Sequence, residues 1–125
     1  MTTTSEQSNS GPGYARAPDH ILSLEPAGKS FRAVLNGVVI AASDNALIMH
    51  ESNHQDTVYF PAEDVRLDLA SKTAHSTHCP FKGDASYWSF EGEENIAWAY
   101  ETPFDEMTGI RNYVAFYNDR LDSAV

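Results

Sequence analysis

Apolar residues in this chain come in short runs broken by turn-forming residues, and no long amphipathic helix is predicted from their spacing. The clearest pair of runs is Phe31–Leu35 and Val38–Ala42, flanking Asn36-Gly37. That dipeptide accepts the positive φ angles of a type I′ turn, so the segment predicts a β-hairpin. After a turn at Ser43-Asp44-Asn45, Ala46–Glu51 predicts a strand, with a short helix as the alternative. Thr57–Phe60 is another strand, stopped by Pro61. Pro61–Asp64 suits one helical turn, with proline first and acids near the positive end of its dipole. Val65-Arg66-Leu67-Asp68-Leu69 alternates and predicts a half-buried strand with Val65, Leu67 and Leu69 inward. Ala85–Phe90 and Ile96–Tyr100, joined by Glu91–Asn95, and Arg111–Tyr117 complete the set. About eight short strands at turn-punctuated spacing predict a mainly β sandwich or barrel with little helix.

The ends read differently. Residues 1–20 form an expected disordered tail, and Met1–Gly13 has almost nothing to bury. From Tyr14 to Lys29 the chain reads as an extended arm lying on the domain, anchored by Ile21 and Leu22 or Leu24. The domain itself is expected over 21–122, with 123–125 a C-terminal end.

A length of 125 residues allows one domain with a single core. The formal charge is −10, of which residues 1–30 carry only −1 (Glu6, Asp19 and Glu25 against Arg16 and Lys29), leaving −9 on the folded part. An acidic domain without a basic window repels phosphate backbones and anionic membranes, so neither nucleic acid nor membrane is an expected partner. The single cysteine rules out an internal disulfide and any multi-cysteine metal site, and fits a reducing compartment. With no secretory signal and no long apolar run, the cytoplasm is the expected location.

The unusual chemistry concentrates in Thr77-His78-Cys79-Pro80-Phe81-Lys82-Gly83-Asp84-Ala85-Ser86-Tyr87-Trp88. That string, with Val58–Val65, Ala97–Pro103 and Tyr113–Tyr117, resembles the DUF427 family over roughly residues 21–122. The resemblance implies a small β-rich domain near the tent-like folds of zinc-binding relatives, although the paired Cys-x-x-Cys knuckles of such a zinc are missing here. The family also carries a nucleotidyltransferase-type label in some classifications. No Asp-x-Asp pair for two Mg²⁺ ions occurs in this sequence to support it.

Three functions fit these residues, and whether the protein is an enzyme stays open. The first is a small-ligand pocket roofed by His78–Asp84 and walled by Trp88, Trp98 and Tyr100, with Thr77, His78, Tyr87 and Glu101 as further contacts. Lys82 would hold a negative group, and Asp84 or Glu101 would accept a proton. Gly83 would supply a positive φ. Cross-strand pairing is expected to bring Trp88, with Ser86 and Phe90, against Trp98, with Ile96 and Tyr100. The second is a non-catalytic interaction or structural module using a sheet edge or aromatic patch, as a monomer or homodimer. The third is an enzyme using a Cys79 thiolate. Bland alternatives stand beside each: Cys79 and the aromatics as core, Lys82 and Asp84 as a solvated turn, Glu101 as an exposed carboxylate. His75, His78 and Cys79, or His50 and His54, resemble metal ligands, but neither a metal nor a cofactor is expected.

Overall fold

Asn36 and Gly37 take φ angles of 51° and 77°, and the hairpin they close organises the smaller of two sheets. The computed structural model describes residues 9–124. In chain order these form a helical turn α1 (Gly13–Arg16), then strands β1 (Leu22–Pro26), β2 (Phe31–Leu35), β3 (Val38–Ser43), β4 (Leu47–Glu51) and β5 (Thr57–Pro61). After 3₁₀ turns at Ala62–Asp64 and Leu67–Leu69 come β6 (Ala70–Cys79), β7 (Gly83–Phe90) and β8 (Glu93–Ala99). A 3₁₀ segment (Asp105–Ile110) leads to β9 (Tyr113–Phe116), and another (Asn118–Arg120) to β10 (Ser123–Ala124). The larger sheet runs β1-β4-β5-β9-β8-β7-β6 and the smaller β10-β2-β3, every pair antiparallel. Both sheets stay open, so this mainly β fold is a sandwich and not a barrel.

Each face of the large sheet buries its own apolar cluster. On one face Phe60, Phe90, Ala97, Val114 and Phe116 pack against Ala33, Leu35, Ile40 and Ala41 of the small sheet. On the other, Met49, Tyr59, Ala85, Tyr87 and Ala115 of four strands (β4, β5, β7 and β9) form one cluster, closed by Met107 and Ile110 of the 3₁₀ segment. The bond from Lys82, in the turn before β7, to Glu51 at the end of β4, with β5, β9 and β8 between those strands, requires the large sheet to curl around the second cluster.

Several expectations change against this frame. Val65–Leu69 is not a strand: Val65 makes a single bridge to Ala41, and Arg66 (φ −75°, ψ 65°) forms an inverse γ-turn that starts the 3₁₀ turn. Val65 is buried, but Leu69 is 45% exposed. Thr77–Cys79 belongs to β6, so the loop of the motif shrinks to Pro80-Phe81-Lys82. Pro61 ends β5 and caps the following turn instead of opening it. The Glu91–Asn95 connection tightens to Glu91-Gly92, because Phe90 pairs with Glu93.

At the N-terminus, residues 1–8 of the expected tail lie outside those described, whereas 9–20 dock on the domain through bonds considered below. Leu22 and Leu24 anchor the arm as an edge strand on β4, while Ile21 is 64% exposed. At the C-terminus Ser123 and Ala124 pair with β2, and residue 125 is not described. No helix among the described residues is long and apolar enough to cross a membrane.

A side chain on Gly37 would meet no atom within 4 Å, so substitution there exposes the cost of backbone conformation alone. Gly37→Val should destabilise by about 1–2 kcal/mol, read as a lower urea midpoint at unchanged m-value.

Candidate functional site

The alternation of a β-strand divides the motif between the two faces of the large sheet. Thr77 pairs with Ala85 and Cys79 with Gly83, and these residues share a face with Tyr87. Because Tyr87 pairs with Trp98, Trp98 lies on that inner face too, and Tyr100 joins the same cluster. Trp88 pairs with Ala97 and packs into the cluster facing the small sheet. The two tryptophans are therefore on opposite faces and do not form one wall. His78 and Asp84 are partners at 2.7 Å, with side chains 58% and 73% exposed, on the same side as Trp88.

On the inner face the sheet's curl brings Lys82 to the end of β4. Its Nζ donates to Glu51 Oε1 at 2.7 Å, and the two side chains are only 14% and 9% exposed. His20 Nε2 meets the other carboxylate oxygen, Oε2, at 2.8 Å, with His54 Nδ1 3.7 Å from the same atom. The Lys82 ammonium also lies 5.9 Å from the centre of the Tyr100 ring. Gly83 takes a φ of 121°, the positive angle expected of it.

The N-terminal arm covers this centre. Asn9 and Asp105 exchange bonds of 2.9 and 3.0 Å, Gly11 N donates to Glu106 at 3.0 Å, and Gly13 N to the Pro80 carbonyl at 3.0 Å. The Tyr14 hydroxyl donates to the Phe81 carbonyl at 2.9 Å, and the Phe81 ring is stacked on His20 at 4.2 Å. Such close seating demands glycine. A Cβ on Gly11 would stand 2.7 Å from the Pro80 oxygen, and one on Gly13 2.8 Å from the Phe81 ring.

Burial works to raise the Glu51 carboxyl, but hydrogen bonds from Lys82 and His20 outweigh it and hold the group below its ordinary value. The tyrosines move the other way. Burial, with Glu106 nearby, pushes Tyr14 up to about 12, and burial also raises Tyr59 and Tyr100. At neutral pH the centre is thus an ionised carboxylate beside an ammonium, ringed by phenols that can donate but not act as bases. Cys79 is half-buried against this cluster, and the Thr77 and Tyr87 hydroxyls are bonded at 2.9 Å.

Glu101 sits on the other face, where Lys72 Nζ and Ser86 Oγ each donate to Oε1 at 2.7 Å and together lower its pKa. It borders a cavity of about 330 Å³ with Trp88, Arg111 and Tyr113, and Lys72 stands 5.6 Å over the Trp88 ring. Of the candidate residues, then, Thr77, Cys79, Lys82, Tyr87, Trp98 and Tyr100 gather on the inner face. His78, Asp84, Trp88 and Glu101 do not join them. Glu51, His20, Tyr14 and Tyr59 were not singled out from the sequence, and His54 was named only beside His50 as resembling a metal ligand. Glu51 left a usable signal: it falls two residues after Met49 and so shares its inward face, where a carboxylate requires a cation.

Glu51→Gln or Lys82→Met should each cost about 3 kcal/mol, since one buried charge is left unpaired. The double variant Glu51→Leu/Lys82→Met should recover most of that loss, as a double-mutant cycle in urea with the Glu51→Leu and Lys82→Met single variants will show. The pH sign follows from the lowered carboxyl. The contribution of Glu51 is complete above the ordinary carboxylate value of about 4.3 and disappears as pH falls through the lower folded value. The stability gap between wild type and Glu51→Gln should therefore be flat from neutrality to pH about 5 and close below about 4.

Among curated proteins none matches this chain. The sequence model of the family described as Domain of unknown function (DUF427) matches residues 23–125. That span holds Glu51, Lys82 and both apolar clusters, and leaves Tyr14 and His20 ahead of it. With the match covering most of its length, the chain belongs to the DUF427 family.

Proposed function

We propose that this domain binds a small ligand carrying a negative group, with Lys82 as its anchor and Glu51 as the counter-ion the ligand displaces. One observation carries the reading. A lysine only 14% exposed is neutralised by one carboxylate under a cover supplied by Tyr14 and His20, from a segment outside the family match. Buried ion pairs contribute little net stability, so a site that keeps one and roofs it with a separate segment is better explained by binding. Tyr100, Trp98 and Phe81 supply the aromatic surface for a planar body. Raised phenols favour donation to an anion over proton abstraction. Where a proton must be accepted, Glu51 is the carboxylate beside Lys82, and Asp84 faces away. The arm lifts to admit the ligand. The proposed setting is the cytoplasm, consistent with a lone thiol at Cys79.

A thermal-shift panel of mono- and dicarboxylates, phosphate monoesters and planar aromatic acids tests the reading. At least one anionic class should raise the melting temperature of wild type and leave Lys82→Met unmoved. Glu51→Gln, which frees the ammonium, should bind that class about tenfold more tightly, a gain of about 1.4 kcal/mol. A panel with no response in wild type, or one equally strong in Lys82→Met, overturns it.

A further inference from the structure

The two oxygens of Glu51 face different partners, and the second of them faces two imidazoles. Oε1 takes the Lys82 ammonium. Oε2 lies 2.8 Å from His20 Nε2 and 3.7 Å from His54 Nδ1, and the three ligand-type atoms all fall within 4.8 Å of one another. Around a tetrahedral Zn²⁺, bond lengths of about 2.0–2.2 Å put ligand atoms roughly 3.3–3.6 Å apart. The observed separations bracket that value, so sub-ångström to ångström adjustments suffice. We propose that His20, Glu51 and His54 form a divalent transition-metal site that fastens the N-terminal arm to the domain.

The surroundings fit a metal as well as the ligand atoms do. His20 is held in place by its stack on Phe81, and its side chain is 15% exposed. Lys82, bonded to the far oxygen, orients the carboxylate as outer-shell donors do in metal sites. His54 is 58% exposed and adjustable, and the open side it faces leaves room for water as a fourth ligand. At rest its Nδ1 donates to the Ser52 carbonyl at 2.8 Å, and a turn of the exposed ring exchanges that bond for the metal. Two imidazoles and one carboxylate select Zn²⁺, Co²⁺ or Ni²⁺ over Mg²⁺ and Ca²⁺, which prefer an all-oxygen shell. A chain with a formal charge of −10 draws cations to its surface.

The site does not depend on the anion reading, because the Lys82 ammonium and the metal use different oxygens. It also belongs to this chain and not to the family span as such, since His20 precedes residue 23.

The test uses the whole chain, freed of metal by chelation and titrated calorimetrically with ZnCl₂, with MgCl₂ as the control. Wild type should bind one equivalent of Zn²⁺ and no Mg²⁺. His20→Ala and His54→Ala should each weaken binding by about tenfold or more, whereas His75→Ala, which lies outside the three-ligand group, should retain it. Trypsin cleavage at Arg16, an exposed residue of α1, supplies a second readout: Zn²⁺ should slow it in wild type and not in His20→Ala. Absence of equimolar binding in wild type overturns the proposal. So does binding that survives both His20→Ala and His54→Ala, which would put the ion elsewhere, such as at His75 and His78.

Discussion

The pairing of Lys82 with Glu51 is the constraint to which the rest of the large sheet answers. It joins the turn after β6 to the end of β4, across a sheet in which β5, β9 and β8 intervene. The energy of the fold comes from elsewhere. Fully burying a side chain such as Met49, Ile96 or Ile110 stabilises by about 1.5–3 kcal/mol, whereas a buried ion pair recovers little more than its own desolvation. The pair instead selects an arrangement. A sheet curled less or more would strand an ammonium or a carboxylate in a space walled by Tyr100, Phe81 and Met49, and that penalty falls on every alternative curvature. Apolar contacts tolerate sliding, but a 2.7 Å hydrogen bond does not.

The two apolar clusters divide the labour accordingly. The one between the sheets is aliphatic and phenylalanine-rich and has nothing to titrate: Phe60, Phe90 and Phe116 meet with tilted or edge-on rings over Ala33 and Ile40. The other mixes Met49 and Ile110 with Tyr59, Tyr87 and Tyr100, so its interior carries hydroxyls. Their partners are internal. The Thr77 and Tyr87 hydroxyls bond to each other. One cluster is scaffold; the other puts polar chemistry at a low-dielectric address.

What could be read in the sequence was what local chemistry decides. Asn36-Gly37 accepts its turn whatever the rest of the chain does, and the strands on either side follow. Val65–Leu69 misled because alternation over so short a stretch does not distinguish a strand from a turn. Its conformation was settled by a distant carbonyl, Ile40, which takes the Arg66 N–H. β6 was illegible for another reason: as an edge strand it is mostly exposed and carries no apolar rhythm to report. Contiguity of the motif in sequence concealed that its odd and even residues face opposite ways. Lys82 and Asp84 looked like a working pair, but Asp84 bonds to His78 on the other face, while Lys82 bonds to Glu51, 31 positions away.

The arm links the site's electrostatics to its accessibility. It lies outside the family match, yet it docks through backbone hydrogen bonds and glycines that admit no side chain. Its seating removes water from the Lys82–Glu51 pair, which strengthens that pair, and supplies His20 as a second donor to the same carboxylate. Lifting it would do the reverse in one motion: wet the pair, withdraw His20 and uncover the ammonium. Closure of the arm and the strength of the pair are therefore coupled. A group that competed for either oxygen of Glu51 would weaken the bond from Lys82 or the one from His20.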